Sequence, residues 1–502
     1  MSSGVESKMT VIYDYINEVR GKFSDTAFQC VERIDGMYVT NPVNKSSFND
    51  FRIFTETQVK RALINTLSSS NVIKKKLSFF SQDEKEDVIY KLDNVEDLRP
   101  EEKYAIQNAG HATQLILIPG FTILTDPVFN DLNWVLYPAK TFSHPSAEML
   151  PKIDVIIISH NHPDHIDKTS LQDIFKEHKK KGWSFPVVLV PMGDKKLIQG
   201  FGFKEVEEVE WFTKISVSKG ENIVDFISIP ADHRSGRLGY DHHKSLVTGW
   251  VVNPEKSNVI FKYSGDTRTL TDENQNAVDA VIWNEIQKKM MDIDDIPDIV
   301  CFEPSGPNYT RCDMDVTHQS SSYSVLLKFI EAENLAKLSN KTAQDFIQKF
   351  KTVMMHHNKF EFGPDRFNEG LFIFKKLLLY LSLNDADLKQ ELLRQKEKFD
   401  NNLDRKSLKE NLTFFSRPMI ATLPEKTSIL VHSKDFIIED MFYTLKKVKG
   451  LDEEQVKHYF LEYLTKNTIF PQIGERLNDQ QLRSASFDPK IICKYNKKSE
   501  KI

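Results

Sequence analysis

Val155-Ile156-Ile157-Ile158-Ser159-His160-Asn161-His162-Pro163-Asp164-His165-Ile166-Asp167 is the stretch that decides the fold. Its first four residues are a short, unbroken apolar run, as expected for a strand covered on both faces. Directly after it come three imidazoles and a carboxylate: His160, His162, Asp164 and His165. These are metal-ligand side chains by composition alone. Zinc suits them, and iron or manganese suits the same donors. A tight loop at a strand end aims His160 and His162 at one ion while Asp164 and His165 reach a second. The bland reading is a histidine-rich surface loop, which four ligand-type side chains after a buried run argue against.

Outward from this point the same texture repeats. Short β-rich runs end in polar or glycine-containing turns: Leu115–Ile118, Thr122–Leu124, Val187–Val190, Ile223–Ile229, Leu246–Val252, Val259–Tyr263 and Ile299–Phe302. Helical spacing lies between some of them, as in Ser170–Lys179, so the pattern predicts an α/β layered domain. Three more apolar runs end in candidate ligands: Pro230-Ala231-Asp232-His233 follows Ile223–Ile229, Ser264-Gly265-Asp266-Thr267 follows Val259–Tyr263, and Val353-Met354-Met355 runs into His356. Taken alone, His233 is as readily a packing histidine as a ligand, and an SGDT turn is weak evidence.

The HxHxDH signature after an apolar strand resembles the metallo-β-lactamase superfamily. More narrowly, the chain resembles the N-acyl-phosphatidylethanolamine-hydrolysing phospholipase D family and its bacterial relatives, over roughly residues 105–365. The resemblance rests on Gly110-His111-Ala112-Thr113, Leu124-Thr125-Asp126-Pro127, the SHNHPDHID stretch, Val190-Pro191-Met192-Gly193 and Val209-Glu210-Trp211. Arg237, Asp241, Lys244 and Trp250 fall at matching offsets after His233. That family commonly has Tyr where Pro163 stands. Its HWGT reads His356-His357-Asn358-Lys359 here, and its Glu-Pro reads Tyr309-Thr310.

The resemblance implies an αββα sandwich with metals where strand-end loops converge. It implies two Zn2+ ions, the first on His160, His162 and His233, the second on Asp164, His165 and His356, with Asp266 between them. A hydroxide bridging the ions would be the nucleophile, with Asp164 and His318 as catalytic residues and Arg311 and His318 on the substrate. His111 more readily buttresses the site than binds metal. The implied activity is that of a zinc-dependent phosphodiesterase of phospholipase D type acting on N-acyl-phosphatidylethanolamine-like phospholipids. Two alternatives stand beside it: a lactonase or other ester hydrolase of the same fold, and a decayed metal-binding interaction protein. The complete ligand set argues against decay.

The remaining sequence bounds the setting. The 502 residues exceed the roughly 250–300 at which single cores stop growing. Texture divides the chain into an N-terminal extension of mixed helix and loop (1–104), a catalytic domain (105–385) and a charged helical accessory region (386–502). Within the last, Asp435–Lys449 and Asp452–Thr465 read as helices separated by Gly450. With 67 basic against 72 acidic residues the net charge is −5, so no nucleic acid is expected as a partner. The expected substrate is a phospholipid or small phosphodiester, with peripheral membrane contact. Four cysteines without a CxxC pair fit a reducing, cytoplasmic setting, and Met1–Tyr13 lacks the pattern of a signal peptide. Leu371–Leu383 is interrupted by Lys375 and Lys376 and is shorter than the ~20 residues of a spanning helix.

Overall fold

The computed structural model describes residues 10–15, 32–34, 37–39, 98–130, 146–237, 243–267, 279–290, 295–304, 328, 331–356, 467–469, 471 and 474–484. His318, Arg311, His357, Leu371–Leu383 and the two helices expected over 435–465 lie outside them. Among the described residues no helix is long and apolar enough to cross a membrane.

In chain order, β1 (Thr10–Tyr15) precedes a small hairpin of β2 (Glu32–Ile34) and β3 (Met37–Val39). Then come β4 (Ala105–Gly110), β5 (Thr113–Ile118), β6 (Phe121–Thr125), β7 (Val155–Ile157), β8 (Val187–Pro191) and β9 (Val206–Val209). These six, with β17 (Arg476–Asn478) at the far edge, form a seven-stranded sheet in the order β17-β4-β5-β6-β7-β8-β9. The second sheet has eight strands. It contains β10 (Thr213–Lys219), β11 (Asn222–Pro230), β12 (Thr248–Pro254), β13 (Val259–Tyr263), β14 (Asp298–Pro304), β15 (Phe350–Met355) and β16 (Thr468–Ile469). Its order is β1-β10-β11-β12-β13-β14-β15-β16. Both sheets are mixed: β6 to β9 run parallel, as do β13 to β16.

Side-chain alternation explains why the apolar runs are continuous. Val155 and Ile157 point into the core between the sheets with Ile116, Ile123, Trp250, Phe261 and Val353. Ile156 and Ile158 point the other way, into a second core with Leu171, Ile174, Val188 and Ile198. That outer core is covered by α1 (Lys168–Lys181) and α2 (Lys195–Gln199). Asp167 caps α1 by accepting from the backbone of Thr169 and Ser170, and Gly182 ends it in the left-handed region at φ 68°. The basic run Lys179-Lys180-Lys181 is the last turn of α1, where cations complement the helix dipole. On the second sheet, α3 (Asp279–Met290) places Trp283 and Ile286 among the buried residues.

The sandwich does not stop at the boundaries drawn from sequence texture. β1 pairs with β10, so part of the 1–104 extension belongs to the second sheet. Residues 386–502 are not wholly helical either: β16 pairs with β15, β17 pairs with β4, and α4 (Asp479–Ser484) follows. These strands are two and three residues long. They are too short to show a period, and only pairing with strands far away in sequence makes them strands.

The C-terminal stretch is tied down by charge as well as by pairing. Arg476 donates to both oxygens of Glu102, Nη1 to Oε1 at 2.9 Å and Nη2 to Oε2 at 2.5 Å, and Asn478 adds a bond at 3.0 Å. The Arg476 bonds hold the Glu102 carboxyl at about 2, against burial, which alone would raise it. Glu102→Gln is therefore expected to lower the unfolding free energy at pH 7 by about 2 kcal/mol. A depressed carboxyl stabilises the fold above its ordinary value of 4.5, and this increment is lost as pH falls toward about 2. Urea unfolding of both proteins at pH 7 and at about pH 2.5 checks this. A difference that does not shrink in acid would rule the ion pair out as its source.

Candidate metal centre

The site is assembled on Asp126, which follows β6 in the left-handed region at φ 33°. Its fully buried carboxylate accepts from Ser159 N at 2.8 Å, Ser159 Oγ at 2.5 Å and the Tyr263 hydroxyl at 2.5 Å. It also holds Nδ1 of His165 at 2.6 Å. One side chain thus fixes the end of β7, the end of β13 and one imidazole. With Nδ1 of His165 committed to Asp126, Nε2 is turned to Asp266, 3.2 Å away.

The neighbouring loops are locked in the same manner. Asn161 Oδ1 accepts from Gly236 N at 2.6 Å, and Asn161 Nδ2 donates to Asp194 at 3.1 Å. Arg237 donates to the carbonyls of Asn161 and Ile166 at 3.1 and 2.7 Å. These bonds hold the histidine loop against the turn after β11. Burial pushes the Asp194 carboxyl up to about 8. Trp250 Nε1 donates to the carbonyl of Ile158 at 2.8 Å, joining β12 to the strand that leads into the loop. Gly265 has φ 60°, and a Cβ there would lie 2.4 Å from the Cβ of Ser159. Only glycine lets these two turns touch.

On this frame the imidazoles converge. His160 Nε2 lies 2.9 Å from His162 Nδ1, and His233 Nε2 lies 3.2 Å from the same atom. The Asp266 carboxylate is 3.2 Å from His165, 2.9 Å from His356 and 3.8 Å from His233. Among the described residues, ligand atoms within 4.8 Å of one another form three groups: His160, His162 and His233; His160, His165 and Asp266; and His111, His165 and His356. Asp164 stands outside these groups, with Oδ2 3.3 Å from Nε2 of His111.

Electrostatics favours the ligand forms of His160 and Asp164, while the carboxylates around His165 favour positive charge there. Burial, then the neighbouring His165, His162 and His233, holds His160 well below the ordinary histidine value, which keeps it neutral. Burial alone would lower His165 too, but Asp266 and Asp126 outweigh it and push it well up. Asp164 is held well down: burial raises it, while His111 and His165 more than compensate. The donor set fits a divalent cation. Two imidazole nitrogens ~2.1 Å from one tetrahedral ion lie about 3.4 Å apart, close to the separations His162 keeps from His160 and His233.

The structure therefore brings together His160, His162, His165, His233, Asp266 and His356, each just beyond a strand end. Asp164 sits at their margin. His111, expected only as a buttress, is fully buried within the group, and its signal in the sequence was its place in the GHAT turn. Asp126 and Tyr263 were not singled out as site residues, because nothing in the sequence shows that they share a hydrogen bond. His178 is a packing residue, with Nδ1 2.7 Å from the carbonyl of Ser184, and Cys301 is buried.

Residues 122–290 match the beta-lactamase superfamily domain. Over 166 residues, 32% of this chain and 34% of the relative, the chain is 33% identical to the mitochondrial N-acyl-phosphatidylethanolamine-hydrolyzing phospholipase D of Saccharomyces cerevisiae. Over 162 residues, 32% of this chain and 45% of the relative, it is 30% identical to N-acyl-phosphatidylethanolamine-hydrolyzing phospholipase D 1 of Caenorhabditis elegans. These matches span between a third and a half of the relatives' length. Among solved structures, a metallo hydrolase of the archaeon Ignicoccus hospitalis aligns at 20% identity and a TM-score of 0.31, over 51% of this chain and 83% of that one.

Asp126 is the side chain on which the imidazoles depend without being one of the converging ligand atoms. Asp126→Asn keeps its volume but replaces an acceptor with a donor facing Ser159, Tyr263 and His165. It is expected to weaken the binding of divalent metal by about 10- to 100-fold while leaving a folded chain. Chelator competition on both proteins measures this. Unchanged affinity would show that the strand ends hold the imidazoles without it.

Proposed function

We propose that the metallo-β-lactamase superfamily domain of this chain is a two-metal hydrolase of phospholipase D type, acting on the phosphodiester of N-acyl-phosphatidylethanolamine-like phospholipids. The observation that carries the metal part is the convergence of His160, His162, His233, His165 and His356 around Asp266. The substrate class is carried by relatives named for that activity at 30–33% identity.

In this reading His160, His162 and His233 would hold a first ion. Asp164, His165 and His356 would hold a second, with Asp266 available to both sets. Zinc suits this imidazole-rich set best. Such a pair, when bound, supplies Lewis acidity toward a phosphoryl oxygen and lowers the pKa of water toward neutrality. The protein's own residues do the rest. Asp126 keeps His165 on one tautomer, and the Asn161–Gly236–Arg237 bonds keep the first three imidazoles in register. Asp164, 23% exposed where Asp266 is 4%, faces the open side, where its carboxylate can accept a hydrogen bond from the attacking water and orient it. Arg311 contacts the phosphoryl group, and His318 protonates the leaving alcohol. Cleavage of the distal P–O bond then gives a phosphatidic acid and an N-acylethanolamine. A bilayer substrate places the chain at a membrane surface.

Chain purified without chelator is expected to carry about two zinc ions. Asp266→Ala is expected to lose metal and turnover together, as read by elemental analysis and phospholipid hydrolysis. Full metal content with full activity would remove the two-metal assignment. Assaying phosphodiesters, lactones and phospholipids side by side tests the substrate class, and turnover confined to lactones would replace it.

His318→Ala is expected to retain both ions while phospholipid turnover falls by something like ~100- to 10,000-fold, as for a lost general acid. A nitrophenyl diester, whose leaving group needs no proton, should respond far less. Equal losses on both substrates would exclude proton donation, and loss of an ion would make His318 a ligand.

A further inference from the structure

Two turns far apart in sequence meet beside Asp266. One is Gly110-His111, between β4 and β5; the other is His356, at the end of β15. Both histidines lie in the left-handed backbone region, at φ 55° and 65°. That region is unfavourable for a residue with a Cβ and persists only where surrounding structure fixes it. Here the turns fix each other: His356 N donates to the carbonyl of His111 at 3.2 Å. Their rings stack with centroids 4.0 Å apart and planes 17° apart. The Nε2 of His111 lies 3.3 Å from Oδ2 of Asp164.

The stacking decides what His111 can do. Its ligand atom lies within 4.8 Å of those of His165 and His356, which makes the three look like a ligand set. An imidazole, however, binds metal in its own plane, at ~2.0–2.1 Å for zinc. The rings are stacked, with centroids 4.0 Å apart and planes only 17° from parallel, so the planes do not meet within that reach and one ion cannot lie in both. His356 is the one turned to Asp266, at 2.9 Å.

We propose that His111 is a positioning residue for the second half of the metal centre, holding Asp164 at its Nε2 and His356 against its ring face. The proposal rests on the two-metal reading above. It also ties the C-terminal stretch to the site. Asn108 Oδ1 accepts from Gly110 N at 3.0 Å and Gln114 Nε2 at 3.1 Å, fixing the turn that carries His111. Asn108 in turn donates to Pro471 O at 2.9 Å and accepts from Gly474 N at 2.6 Å. Gln107 donates to Gly474 O at 2.8 Å. Residues well beyond the matched domain thus support the turn.

The test is zinc titration of the full chain against a competing chelator, with melting of the metal-free protein as a control. His111→Asn suits the site because Asn tolerates the left-handed backbone, yet it removes both the ring and Nε2. Affinity for the second equivalent is expected to fall by about 10- to 100-fold, with the first equivalent and the metal-free melting temperature unchanged. His111→Phe keeps only the ring face and should lose less. If wild type takes up fewer than two equivalents, the two-metal reading fails and this inference with it. If wild type takes up two and His111→Asn does so with unchanged affinity, the inference alone fails. Equal weakening of both equivalents with a lower melting temperature would make His111 a packing residue. A loss in His111→Phe as complete as in Asp164→Ala would make it a ligand. Either result overturns the positioning role.

Discussion

The buried carboxylate of Asp126 is the constraint on which the rest of the centre hangs. A carboxylate with no exposure is tolerable only when donors surround it. Those donors are Ser159 at the end of β7, Tyr263 at the end of β13, and His165 in the loop. Satisfying one buried charge therefore joins the two sheets at the edge where the candidate ligands emerge. Burial, then Asp126, pushes the Tyr263 hydroxyl well up, so it stays a donor.

A second buried charge cluster steadies the Asp266 side. Lys328 lies 3.1 Å from Glu303 and 3.5 Å from Glu331, and Lys262 lies 3.8 and 3.6 Å from the same carboxylates. Burial raises the Glu303 carboxyl, but Lys328 and Lys262 outweigh it and hold it down. Glu303 is near the end of β14, and Ser264 donates to the carbonyl of Phe302 beside it at 2.9 Å. A buried cluster of this kind adds little net stability but permits few alternative arrangements. It suits a turn whose aspartate must face three imidazoles.

Closure of the sandwich depends on both ends of the described chain. β1 caps one edge of the second sheet and β16 the other, while β17 covers the outer edge of the first. Strand edges left open expose unpaired backbone groups. The short C-terminal strands do more than cover them, because their neighbours β15 and β4 lead into His356 and His111.

Local pattern carried the layered α/β character and the histidine-rich loop after β7, and the resemblance added the αββα sandwich and the candidate ligand set. A strand buried on both faces must be continuously apolar, so a metal ligand at its end stands out against four or five hydrophobic neighbours. His160 and its neighbours were legible for that reason, whereas His233, Asp266 and His356 stood out as ligands only within the order the resemblance implies. What local pattern cannot express is which distant residues share a proton or a ring face. Asp126 with Tyr263, His111 stacked on His356, and the two-residue β16 become visible only once the sheets bring them together. Their energy comes from pairing across long sequence separation, and no window along the chain contains both partners.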